Sequence, residues 1–204
     1  MEKLQLKDIA SYLPYGLKCN AAGEWIDNDD PQSGPKILTV SGTFTDSYGE
    51  RYIEAMYGGD KYEIFNTDFF PILRPMSDLV KEIDGVVPIV ELFKLYDSGS
   101  FGGENSIKRD PFPIIDYKWE YYPTINKDEC ILRYLIKFQE GDRIHSFRYD
   151  PQLRRFSCYD DTYKRPLGVA YQADLFEYLS AHHFDYRGLI EKGLAIDVNT
   201  LKNE

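Results

Sequence analysis

No run of this 204-residue chain approaches the ~18–20 consecutive apolar residues of a membrane-spanning helix. Cysteine is scarce: Cys19, Cys130 and Cys158 form no CxxC pair, so neither a disulfide framework nor a zinc cluster is signalled. The opening MEKLQLKDIASYL carries a charge every few positions, unlike a secretory signal peptide. These absences predict a cytoplasmic chain with its cysteines kept as thiols and no membrane partner. GxSxG, HExxH and GxxxxGK[ST] are missing as well, and no repeat recurs at a period of roughly 20–50 residues. No catalytic residues and no cofactor are expected.

What is present is core material. The chain is 43% hydrophobic and 15% aromatic, with 17 tyrosines and 12 phenylalanines, a composition suited to pleated surfaces. Its net charge is −10, and the excess lies in the first half: residues 1–102 hold 9 Lys/Arg against 17 Asp/Glu, residues 103–204 hold 15 against 17. An acidic chain is repelled by phosphate backbones, so nucleic acid is not the expected partner.

Periodicity orders the elements. LKDIASYLPYG places Leu6, Ile9, Ala10 and Leu13 on one helical face, stopped by Pro14 and Gly16. KILTVSGTFT alternates as a half-buried strand with Leu38, Val40 and Phe44 inward. RYIEAMY and KYEIF read as a hairpin around Gly58-Gly59-Asp60. FFPILRPMSDL, broken by Pro71 and Pro75, is expected to be extended. PIVELFKLY offers Ile89, Leu92, Phe93 and Tyr96 as a helical stripe. IIDYKWEYY, ILRYLIKF, GDRIHSFRYD and LRRFSCYDD then read as antiparallel strands, and AYQADLFEYLSAHHF returns to helical spacing through His182. The order predicts an α+β fold of mainly antiparallel sheets, with a short N-terminal helix, a mid-chain helix and a C-terminal helix. The expected division is an N-terminal subdomain over 1–97, a loop or hinge over 98–113, and a sheet plus helix over 114–204.

The chemistry-bearing candidates are few. HHFDYRGLIEKGLAIDVNTL offers His182, His183 and Asp185 as metal ligands, with Asp160 or Asp161 as a further carboxylate, for a metal-dependent hydrolase. Adjacent helical residues diverge by about 100°, so the two histidines are poorly set to grip one ion. We therefore read the segment as fold closure: His182 partly buried, His183 at the helix end, Asp185 as an N-cap, and Leu189, Ile190, Leu194 and Ile196 inward. Asp160-Asp161 reads as a turn with solvated acids. DNDDPQSGPKIL resembles a calcium loop but has Gln32 and Leu38 where glycine and glutamate are needed. Between Ile131 and Phe156 six basic residues face three acids. Arg133, Lys137, Arg148 and Arg154 are the candidates there for single-stranded nucleic-acid binding.

YLPYGLK (12–18), PILRPMSDL (71–79), VVPIVEL (86–92) and HFDYRGLIEKGLAIDVNT (183–200) resemble segments of a group of uncharacterised proteins from prophages and other mobile elements of gut anaerobic bacteria. The resemblance implies a phage-derived cytoplasmic protein and carries no catalytic residue. With it, the favoured expectation is a non-catalytic protein that binds another macromolecule, such as a host or phage protein. The metal-dependent hydrolase and the single-strand binder stand as alternatives.

Overall fold

The computed structural model describes residues 4–21, 36–45, 47–49, 51–65, 69–99, 112–123, 130–169 and 172–203. In chain order the helices are α1 (Leu6–Ile9), α2 (Pro88–Gly99) and α3 (Gln172–Ala181). The strands are β1 (Lys18–Ala21), β2 (Lys36–Thr45), β3 (Arg51–Tyr57), β4 (Asp60–Phe65), β5 (Phe69–Leu73), β6 (Ile114–Pro123), β7 (Cys130–Glu140), β8 (Arg143–Asp150), β9 (Arg155–Asp160), β10 (Arg165–Leu167) and β11 (Ile196–Asp197). The fold is α+β, with two mostly antiparallel sheets. The chain forms two units: Met1–Pro75 with Leu179–Glu204, and Met76–Tyr178. The expected hinge at 98–113 falls within the second unit, and its residues 100–111 lie outside the described residues. Among the described residues no helix is long and apolar enough to cross a membrane.

The first unit is a six-stranded sheet in the order β11-β5-β1-β2-β3-β4. Leu38 and Val40 of β2 point inward as their alternation predicts, and a bulge between Val40 and Gly42 then shifts the register against β3. The side chain of Phe44 lies outside the described residues. Tyr57 pairs with Asp60 across a two-residue loop in which Gly58 and Gly59 both have positive φ, the backbone such a tight hairpin requires. β1 is buried at Cys19, as is Leu17 just before it, and the sequence pattern did not mark it as a strand. β11 pairs with β5 only at Ile72 and Leu73, so on that side Pro71 interrupts no ladder bond.

Two expectations here are corrected. The N-terminal helix is one turn long and buries Ile9, with Leu4 before it and Tyr12 after it also buried, while Leu6 and Ala10 are exposed. Leu13–Tyr15 follows as a 3-10 turn with Pro14 near its start and Gly16 in the left-handed conformation at its end. The second is the segment after Pro75: Met76–Val80 is a 3-10 helix rather than extended chain, since proline presets the φ of a helical start.

The second unit is a five-stranded sheet in the order β10-β9-β8-β7-β6. α2 lies on its inner face. Phe93 sits 4.6 Å from the Phe138 ring, and Tyr96 stacks on Phe147 at 4.9 Å. Tyr134, Ile136 and Phe138 of β7 are buried as the alternation predicts, beside Phe147 and Tyr149 of β8. From α3, Phe176 adds edge contacts to Phe156 and Tyr149. Each fully buried side chain of this kind contributes about 1.5–3 kcal/mol.

Candidate functional site

α3 ends at Ala181, one residue short of the expected stripe. The amide of Phe184 donates to the Leu179 carbonyl at 2.8 Å, and that of His183 to Ser180 at 3.1 Å. This pair of bonds is a Schellman closure with His183 in the left-handed position, at φ 56°. Ten residues on, Leu194 and Gly193 donate to Leu189 and Ile190 in the same pattern, with glycine at φ 68°. A histidine thus occupies a backbone position that glycine normally fills. His183 stands at the helix end as expected, but the expected burial is reversed: His182, beyond the last helical turn, is exposed, and His183 is half-buried. Burial lowers the affinity of the His183 ring for a proton, helped by His182, Lys18 and Arg74, while a hydrogen bond to the Tyr15 backbone opposes them.

Asp185 is buried and turned to the backbone. Its two carboxylate oxygens accept the amides of Leu189 and Ile190, each at 2.8 Å. Burial pushes its carboxyl up, and those amides pull the other way. It holds the following turn together as a cap, although no helix starts there. Leu189 and Ala195 are buried, whereas Ile190, Leu194 and Ile196 are only half-buried, because β11 is an edge strand two residues long. Around this segment Tyr12 donates to the Phe184 carbonyl, and Arg74 exchanges backbone bonds with His183 and Asp185 at 2.8 Å. The tail closes the first unit. His182, His183 and Asp185 serve separate ends, and among the described residues no three His, Cys, Asp or Glu side chains are grouped to hold a metal ion.

The basic candidates belong to the second unit, and two of them are committed to carboxylates. Arg148 donates to Asp161 at 2.8 Å and to Ser146 at 2.9 Å, and lies over the Tyr159 ring. Arg133 sits 3.5 Å from Asp150. Lys137 is half-buried, and Arg154 is exposed in the β8–β9 turn. By register Arg133, Lys137 and Arg148 share the face opposite Tyr134, where carboxylates engage two of them, and Arg154 lies apart in the turn.

Asp160 and Asp161 differ from the expected solvated acids. Asp160 is fully buried, directly opposite His145 in the β8–β9 register, and accepts the amides of Thr162 and Tyr163 at 3.1 and 2.9 Å. Burial alone raises its carboxyl, but the Tyr163 amide, His145, the Thr162 amide and Arg165 outweigh it and hold Asp160 below the usual carboxylate range. His145 is buried too, stacked on Phe138 at 5.1 Å with its Nε2 3.3 Å from Glu140. The sequence offered no spacing that joins these two. Only the strand register does.

The feature that sequence reasoning missed altogether is the β6 edge. Tyr117, Trp119 and Tyr121 alternate along it and are 41%, 52% and 64% exposed. Their register partners on β7 are Ile136, Tyr134 and Leu132, so they continue the face that α2 covers further in. On β7 Tyr134 and Ile136 are buried and Leu132 is half-buried, whereas the three aromatics on β6 are exposed. Trp119 and Tyr121 meet edge-on at 5.7 Å. The signal was present in YKWEY, where aromatic and charged residues alternate, but period-two alternation alone does not tell an open edge from a covered strand. No protein-family model matches the chain, and neither do any curated protein or solved structure.

Proposed function

We propose that this protein acts without catalysing a reaction, by binding another protein chain along the β6 edge, and that it derives from a phage-type mobile element. One observation carries the reading: a ten-residue edge strand with three large aromatics open on one face. Among the described residues β6 pairs with a strand on one side only, and an added strand would take up the backbone groups of its other side and pack beside the aromatics. Solvent-exposed Tyr and Trp are the side chains that most often anchor protein interfaces. The candidates for metal and nucleic-acid chemistry support the same reading through their local engagements, Asp185 with backbone amides and Arg148 with Asp161. The resemblance of YLPYGLK, PILRPMSDL and the 183–200 segment to prophage proteins supports the phage-derived origin, and a cytoplasmic setting goes with it.

A photo-cross-linking residue placed at Tyr121 in cells tests this, with Tyr163 in the turn between β9 and β10, exposed at 60%, as the control position. Protein adducts formed from position 121 and absent from 163 are expected. Equal labelling from both positions, or none from either, overturns the reading.

A further inference from the structure

We infer that the partner at the β6 edge is a second copy of this chain, joined β6 to β6 in antiparallel fashion about a two-fold axis at Trp119. The inference rests on the edge-binding reading and adds the identity of the occupant. It comes from the charge pattern of Tyr117-Lys118-Trp119-Glu120-Tyr121, which is self-complementary when read against its own reverse.

Directly opposite residues of an antiparallel pair point to the same face of the sheet. In the Trp119-centred register, Trp119 faces the partner's Trp119, and Tyr117 faces the partner's Tyr121. Lys118 then faces the partner's Glu120, and Glu120 the partner's Lys118. Within one chain Lys118 Nζ already lies 3.4 Å from Glu120 Oε2, both partly exposed. Pairing turns this into a square of four charges with alternating sign. A shift of one residue places aromatics against charges. Shifting by two sets Lys118 against its own copy, or Glu120 against its own copy. Of these neighbouring registers, only the Trp119-centred one matches both faces.

The other end of the same sheet shows what a protected edge looks like. β10 is three residues long and carries Pro166, which cannot donate to an added strand. β6 is ten residues long and is paired to β7 along nearly its whole length. The dimer joins two five-stranded sheets into one of ten strands and sets the aromatic row of each copy side by side with that of the other.

Analytical ultracentrifugation of the purified chain is the test. The wild type is expected to show a reversible, concentration-dependent dimer. Lys118→Glu and Glu120→Lys each place like charges opposite one another twice per dimer and are expected to weaken it roughly tenfold or more. The double variant K118E/E120K restores opposite charges and is expected to restore the dimer. Thermal melts of all three exposed-strand variants confirm that each is folded. A wild type that remains monomeric up to roughly 1 mM, or a double variant that stays as weak as the singles, overturns the inference. If the chain is monomeric while position 121 still cross-links to a different protein, self-pairing fails and the edge-binding reading stands.

Discussion

The phenolic oxygen of Tyr12 donates a hydrogen bond to the carbonyl oxygen of Phe184 at 2.9 Å, joining buried positions 172 residues apart. Beside it, Ser11 and Tyr186 share a hydrogen bond of 2.7 Å, and the Tyr12 and Tyr186 rings lie 5.5 Å apart. Tyr12→Phe keeps the ring and removes the donor. The variant is expected to lose about 1–3 kcal/mol, the cost of leaving a buried acceptor unsatisfied. Urea unfolding checks it: the midpoint falls with the slope unchanged. A loss under about 0.5 kcal/mol means the carbonyl finds another donor.

His183 predicts a pH dependence of definite sign. Burial lowers its pKa, so the unfolded chain takes up the proton more readily than the folded one. The stability held by the neutral ring is present above the unfolded value, about 6.5, and is lost as pH falls through the folded value. Asn tolerates the left-handed backbone and does not titrate. Between about pH 7.5 and pH 5 the wild type is expected to lose more stability than His183→Asn. Denaturation curves at the two pH values decide it, and parallel losses would refute the assignment.

Arg148 and Asp161 should couple. Their side chains are 14% and 21% exposed, so solvent screens the pair only in part. Arg148→Ala, Asp161→Ala and the double variant form a thermodynamic cycle with an expected coupling of about 0.5–3 kcal/mol. A coupling near zero would show that the pair is solvated and that Arg148 is available to an outside anion.

Two thiols report one unit each. Burial pushes Cys19 up to about 12 and also raises Cys158, where Tyr96 and the Arg148 charge act in the opposite direction. Only thiolate reacts with iodoacetamide. Native labelling at about pH 8 is expected to leave both peptides unmodified in mass spectra, with full modification after denaturation. Rising denaturant then shows whether the units of Cys19 and Cys158 open together. Labelling of either cysteine in the native protein would contradict the burial described.

Local patterns were legible, and distant pairings were not. The alternation in β2 and β7, the Gly58-Gly59 hairpin and the stripe of α2 follow from spacing that a single segment displays. The end of α3 was misplaced because His182 keeps the helical interval while the backbone has already turned at His183. A histidine there hides the stop signal that Gly193 shows openly. β1 and β11 are short, and their strand state comes from β5 between them. The His145–Asp160 pair depends on a register that no spacing within either strand encodes. The openness of the β6 aromatics depends on how far α2 extends, which β6 itself does not state.

The first unit takes its strands from both sides of Met76–Tyr178, since β11 joins β5 and Arg74 bridges to Phe184. A ribosome delivers the segments in order, so the second unit emerges whole while β5 has β1 beside it and still lacks β11. Synthesis therefore imposes a schedule: the inserted unit is free to fold first, and the outer one waits for β11 to leave the exit tunnel.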